Sequence, residues 1–239
     1  MPDPKPYDLW YWPTIQGRGE FVRLALEGAG IPYRDCARDE GSDALIKHMD
    51  AMSGRAPFAP PFLETDDFAI AQVANILQYL GERHSLAPTN IADRMWLNQL
   101  QLTIADLVAE VHNVHHPVEM MAYYDEQKPE AKRAAKQFRE QRMPKFLDHF
   151  EEAIGANEGD WLIDHRPTFT DYSLFQIVEG LEYMFPKRMA ALAGDTPGLM
   201  ALRDLVAKEP GIKAYLASDR RIAFNTDGIF RHYPELDAA

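Results

Sequence analysis

Pro60-Pro61-Phe62-Leu63-Glu64-Thr65-Asp66-Asp67-Phe68-Ala69-Ile70-Ala71-Gln72-Val73-Ala74-Asn75-Ile76-Leu77-Gln78-Tyr79-Leu80-Gly81 carries three structural signals in one stretch. Two short runs, Pro60 to Glu64 and Phe68 to Ile70, flank the turn formers Asp66-Asp67 and read as a β-hairpin. Val73, Ile76, Leu77 and Leu80 then fall on one face of a helix. Upstream, Tyr7-Asp8-Leu9-Trp10-Tyr11-Trp12 is short, aromatic and stopped by Pro13, as a strand would be. Beyond Gly17-Arg18-Gly19, the residues Phe21, Leu24, Ala25 and Gly28 recur at helical spacing, and Gly30 ends that helix. Ile31 to Cys36 can form a second strand, and Ser42 to Asp50 a short polar helix. The resulting order is βαβαββα, closing near Arg83.

Downstream of Ala87-Pro88-Thr89, a plausible linker, the pattern is helical over 90–122, 128–155, 170–183 and 198–217. Pro117, Pro129, Pro167 and Pro197 punctuate it. We therefore read an α/β unit over residues 1–86 and an all-helical unit over 87–239, with no repeats and no low-complexity segment.

Bulk composition narrows the partners. The 239 residues are 46% hydrophobic, enough for a real core, and the net charge is −12. The 25 Lys and Arg are scattered among 37 Asp and Glu, so neither nucleic acid nor an anionic membrane is an expected partner. The polar, proline-rich start lacks an apolar signal core, and no stretch approaches the ~18 apolar residues of a membrane span. Cys36 is the only cysteine, so no intrachain disulfide can form. A cytoplasmic location is expected.

Four stretches, in order, resemble cytosolic glutathione transferases of the tyrosine type, nearest the pi, mu and sigma classes. They are Tyr11-Trp12-Pro13 with Gly17-Arg18-Gly19-Glu20-Phe21-Val22-Arg23-Leu24; Pro61-Phe62-Leu63-Glu64 with Ile70 to Gly81; Thr168-Phe169-Thr170-Asp171; and Pro210-Gly211-Ile212-Lys213-Ala214-Tyr215-Leu216-Ala217-Ser218. The resemblance spans residues 7 to 224. It implies a thioredoxin-like glutathione-binding domain followed by an all-α domain that binds small hydrophobic electrophiles. It also implies a homodimer, glutathione as co-substrate and no further cofactor.

Glutathione attacks as its thiolate, and an ordinary thiol has a pKa of ~8.5. Ionising it near neutrality needs about 2.7 kcal/mol, which one hydrogen bond to a charged group (about 1.5–3 kcal/mol) could nearly supply. The resemblance assigns that donor to Tyr11, with Thr14 as rival, because some classes use a hydroxyl just after this strand. Tyr7 and Trp10 are expected merely to pack. A cysteine-using class is disfavoured by placing Cys36 on the second strand.

For glutathione itself, Pro61 matches the family's cis-proline. Pro60 departs from the pattern, since the family's preceding residue offers an N–H that proline lacks; either a bond is missing or Pro60 is itself the cis residue. Gln72 and Val73 stand where the family binds the γ-glutamyl end, with Val73 replacing a hydroxyl residue. Arg18 is a further contact, Lys47 and Arg55 are the cations nearest the glycine carboxylate, and Asp106 matches a position reaching across the dimer to the γ-glutamyl ammonium. Trp12, His112, His115, His116 and Phe224 are the electrophile-pocket candidates. The three histidines have helical chelating spacing but no carboxylate or cysteine to complete a set, and no metal is expected. Thr168 and Asp171 read as a helix cap, and the apolar tail 219–239 is expected to pack over the pocket. Glutathione-dependent isomerisation, peroxide reduction, ether cleavage or non-catalytic binding on the same scaffold are the alternatives to conjugation.

Overall fold

The strand Tyr7–Trp10 (β1) anchors a four-stranded mixed sheet in the computed structural model, which describes residues 5–163 and 165–238. β2 (Tyr33–Asp35) runs parallel to β1 and β3 (Phe62–Glu64) antiparallel to it, while β4 (Ala69–Ala71) completes the order β2-β1-β3-β4. Side chains alternate across a strand. Leu9 and Leu63 thus enter the main core, and Trp10 and Phe62 a smaller one with Leu45 on the opposite face. The hairpin turn is closed by Thr65, whose Oγ1 accepts the N–H groups of Asp67 and Phe68 at 3.2 and 3.1 Å. α1 (Gly19–Gly28) links β1 to β2, α4 (Val73–Arg83) follows β4, and the two helices pack together.

Two helices, not one, join β2 to β3: α2 (Cys36–Glu40) and α3 (Ser42–Ala51), parted at Gly41 with φ +90°. The expected strand Ile31–Cys36 shrinks to three residues, because pairing with β1 ends at Leu9 opposite Asp35. Cys36 therefore opens α2 and does not lie on the strand. It is buried in the smaller core, and burial pushes its thiol up to about 12. β1 also ends earlier than expected, so Tyr11 and Trp12 lie in the segment beyond it.

The second part is helical throughout. α5 (Ile91–His115) is capped by Asn90, whose Oδ1 accepts the Ala92 N–H at 2.7 Å. α6 (Lys128–Gln137) runs through a π turn into α7 (Met143–Gly155), followed by α8 (Phe169–Met184), α9 (Pro186–Leu192), α10 (Pro197–Val206) and α11 (Pro210–Leu216). The expected helix 90–122 stops at His115, the expected 198–217 is split at Pro210, and α9 was not expected. α8 lies at the centre and packs on α1, α5, α7's neighbour α10 and α9. One hydrophobic core runs unbroken from the sheet into the helices. The tail folds back onto it: Phe230 covers Gly180, where a Cβ would stand 2.4 Å from the ring. The architecture is a thioredoxin-like unit followed by an all-α unit. Among the described residues no helix is long and apolar enough to cross a membrane.

Candidate functional site

A cavity of about 490 Å³ lies between the loop before β3, the start of α4 and one face of α5. Pro60, Pro61, Gln72 and Val73 form one wall, Asn98, Gln101, Leu102 and Ala105 the other, and Arg18 and Phe21 close it. The peptide bond between Pro60 and Pro61 is cis, which makes Pro61 the cis-proline. Gln72 has φ +68° and ψ +119°, a left-handed conformation that is costly for any residue with a Cβ and is commonest at functional sites. Its carbonyl accepts from Ile76 at 2.9 Å, so α4 starts there. The N–H groups of Val73, Ala74 and Asn75 have no preceding turn to bond to, and no side chain caps them. All three residues line the cavity, so the positive end of α4 opens onto it. Arg18 has no carboxylate partner among the described residues. An unpaired cation and a free helix start together suit a carboxylate.

Tyr11 lies behind this wall. Its ring packs against Gly17 and Gly19, where a Cβ would stand 2.1 Å from the hydroxyl and 2.4 Å from Cδ1 respectively. Only glycine permits that approach, and Gly17 also has φ +46°. The hydroxyl accepts the Arg18 N–H at 2.8 Å, and none of the described residues accepts its own proton. Burial raises the phenol's pKa, against the pull of the Arg18 N–H, so it stays a protonated donor near neutrality. The ring does not itself line the cavity; Arg18 joins the two, lining the cavity while its N–H holds the hydroxyl. Thr14 is exposed on the same loop, with its carbonyl tied by the Asn225 amide at 2.9 Å.

The other candidates scatter. Lys47, Arg55 and Asp106 are exposed and do not line the cavity. Trp12 turns to the smaller core under the sheet. His112, His115 and His116 touch one another with ring centroids 4.8–5.1 Å apart, but His115 is fully buried and its Nε2 meets the Ile229 carbonyl at 2.8 Å. Burial, with the charges of Arg18 and Arg231 behind it, lowers His112 to about 4; burial likewise lowers His115 to about 3. Phe224 stacks on Tyr183 at 4.8 Å. Gln16 and Gly17 meet Phe224, Asn225, Ile229 and Phe230 of the tail around a space of only about 10 Å³. Among the described residues no three His, Cys, Asp or Glu side chains are grouped as a metal ion would require.

Sequence reasoning missed the α5 wall. Asn98, Gln101, Leu102, Ala105 and Val108 share one helical face, and the signal was Gln101, a polar residue among Leu97, Leu100, Ile104 and Val108 on a buried stripe. Attention to Asp106 pointed to a different face.

Known proteins resemble this chain in sequence and in fold. Residues 112–219 match the family model described as glutathione S-transferase, C-terminal domain. Glutathione S-transferase P 10 of Caenorhabditis elegans is 27% identical over 208 residues, covering 86% of this chain and 89% of that protein. Glutathione S-transferase P 1 of Xenopus laevis is 28% identical over 225 residues, covering 90% and 93%. In shape, the prostaglandin synthase D structure from Nilaparvata lugens superposes with a TM-score of 0.71 at 19% identity, over 90% of this chain and 98% of that one. Taken with the two-part fold, these matches make the chain similar to glutathione S-transferases over most of its length.

Proposed function

We propose that the protein is a glutathione transferase in which Tyr11 activates the thiol of glutathione for attack on small hydrophobic electrophiles. The γ-glutamyl carboxylate sits at the start of α4, against the N–H groups of Val73 to Asn75, with Arg18 as counter-charge. The cysteinyl segment lies along Pro60 and Pro61, and the thiol meets Tyr11. The carrying observation is the Tyr11 hydroxyl itself: it receives the Arg18 N–H at 2.8 Å and has a proton left to give. A donor fixed in this way stabilises a thiolate more than a thiol, and each ~1.4 kcal/mol of that difference lowers the thiol pKa by one unit.

Tyr11→Phe should lower turnover near neutral pH at least tenfold and raise the apparent pKa of bound glutathione, with little change in glutathione affinity. Steady-state kinetics with a chromogenic aryl halide across pH 6 to 9 measure both. Near-normal turnover in Tyr11→Phe together with a dead Thr14→Ala would move the role to Thr14.

The active form is a homodimer. Phe58, in the loop leading to the Pro60–Pro61 wall, is 95% exposed, and Ile91, Met95 and Leu102 expose apolar surface along α5. Apolar surface of this kind is ordinarily covered by a partner. Light scattering should give a mass near twice 27.2 kDa, and Phe58→Ser should lower it; a monomeric wild type rejects the dimer.

A further inference from the structure

Arg231 stands out in the tail because no Asp or Glu takes up its charge among the described residues, in a chain of net charge −12. Its Nε donates to the Gly228 carbonyl at 2.8 Å and its Nη2 to the Asp227 carbonyl at 3.1 Å. These two bonds fix the guanidinium in a local turn. Its Nη1 makes no bond among the described residues and is open to water.

The fold carries this cation to the end of α5. The Ile229 carbonyl, two residues before Arg231, meets His115 Nε2 at 2.8 Å, while Phe224, Asn225, Ile229 and Phe230 meet Gln16 and Gly17 beside Tyr11. His112 stands four residues beyond Val108 and so extends the α5 wall of the cavity by one turn. The imidazole is half-buried, and neither of its ring nitrogens is bonded or shut off from water among the described residues. The charges that bear on it are those of Arg18, Arg231 and His116, with no carboxylate among them. Kept neutral near pH 7, it has one N–H to give. His116 differs, because its Nδ1 donates to the Ala122 carbonyl at 3.0 Å and leaves only a lone pair at Nε2.

A fixed guanidinium edge and an imidazole N–H, both unclaimed, suit an anion. In the glutathione reading Arg18 is taken by the γ-glutamyl carboxylate. Arg231 is then the cation left here to oppose a second negative charge brought near the thiolate. We propose that this corner selects electrophiles that carry a carboxylate, held by Arg231 and the His112 N–H while the thiolate attacks elsewhere on the molecule. This rests on the glutathione reading above and adds to it the class of the electrophile.

Two aryl halides of matched shape test it on the full-length protein, para-chloro-meta-nitrobenzoate and para-chloro-meta-nitrobenzamide. With either, the glutathione thiol loses its proton to solvent, sulfur bonds to the ring carbon bearing chlorine, and chloride leaves with the electron pair. Each kcat/KM is divided by the uncatalysed rate of the same halide with glutathione, so that differences in ring activation cancel. Wild type should prefer the benzoate at least tenfold. Arg231→Met should cut that preference to less than threefold, and Arg231→Lys should restore part of it. An equal loss on both halides in Arg231→Met shows that the residue only holds the tail, and overturns the proposal. A raised KM for glutathione with the preference intact assigns Arg231 to the co-substrate and also overturns it. If Arg231→Met fails to fold, His112→Leu should lower the preference at least threefold, and an unchanged ratio overturns the proposal. Wild type that conjugates neutral chlorodinitrobenzene but does not prefer the benzoate overturns this proposal alone. Wild type that conjugates none of the three halides removes the glutathione reading beneath it.

Discussion

His115 shows how one side chain can be decided by its surroundings and not by its type. On sequence it was a pocket histidine; in the structure it is wholly buried and fastens the tail to the C-terminal end of α5 through the Ile229 carbonyl. The carbonyl fixes its tautomer, with the proton on Nε2, and leaves Nδ1 as an unpaired acceptor. Burial, the neighbouring His112 and His116 and the charge of Arg231 all oppose a second proton, and Arg18 adds to this at His112. Both histidines therefore have folded pKa values, about 3 and about 4, below the unfolded value of ~6.5. The sign follows: the unfolded chain binds more protons in this window, so the stability contributed by the neutral pair is present above pH ~6.5 and is lost as pH falls towards 4 and below. The urea midpoint of wild type should drop across that window, and His112→Gln/His115→Gln should flatten the slope. Parallel slopes would mean that the drop comes from other groups.

At the scale of elements, what was legible was whatever local chemistry decides. Asp66-Asp67 marked the hairpin, Phe21, Leu24 and Ala25 marked α1, and Thr168 with Asp171 marked the start of α8. There the Asp171 carboxylate accepts both the N–H and the hydroxyl of Thr168, at 2.7 and 2.5 Å. What was illegible depends on distant partners. α9 begins at Pro186 after the buried Met184 and Phe185, and the group that caps it is Asp237, which accepts from the N–H groups of Lys187 and Arg188 at 3.0 and 3.4 Å from about fifty residues away. Cys36 closes the run Ile31 to Cys36 that the sequence offers as a strand. It became helix because the pairing of β1 with β2 ends at Asp35, whose carboxylate turns to Arg23 at 2.7 Å. The site divides in the same way. The α4 start and the Pro60–Pro61 loop were readable from a contiguous stretch, whereas the α5 wall is a product of tertiary packing.

Across the whole molecule, the loop that holds Tyr11 is tied to the helical part by a closed ring of buried polar groups. Gln176 donates to the Gln16 side chain at 2.8 Å, and Arg221 donates to Gln176 at 3.1 Å and to Glu20. Arg23 donates to Glu20 at 3.2 Å and back to the Gln16 carbonyl at 3.4 Å. Glu20 and Arg23 are fully buried, so neither charge can turn to water if its partner is removed. Gln16 immediately precedes Gly17 and Arg18, and its side chain also donates to the Ile222 carbonyl of the tail at 2.5 Å. Position of the tail and position of the Arg18 N–H over Tyr11 are thereby coupled. Arg221→Met leaves Glu20 with Arg23 and the Tyr215 hydroxyl alone. Breaking a buried pair from one side costs about 3 kcal/mol, because the remaining carboxylate stays buried without its full complement of donors. Urea unfolding should show a loss of about that size, and limited proteolysis should cut the tail after residue 217 sooner than in wild type. Adding Glu20→Gln should recover part of the loss, since the orphaned charge is then gone; a double variant whose cost is the plain sum of the two singles would show that the ring does not act as one unit.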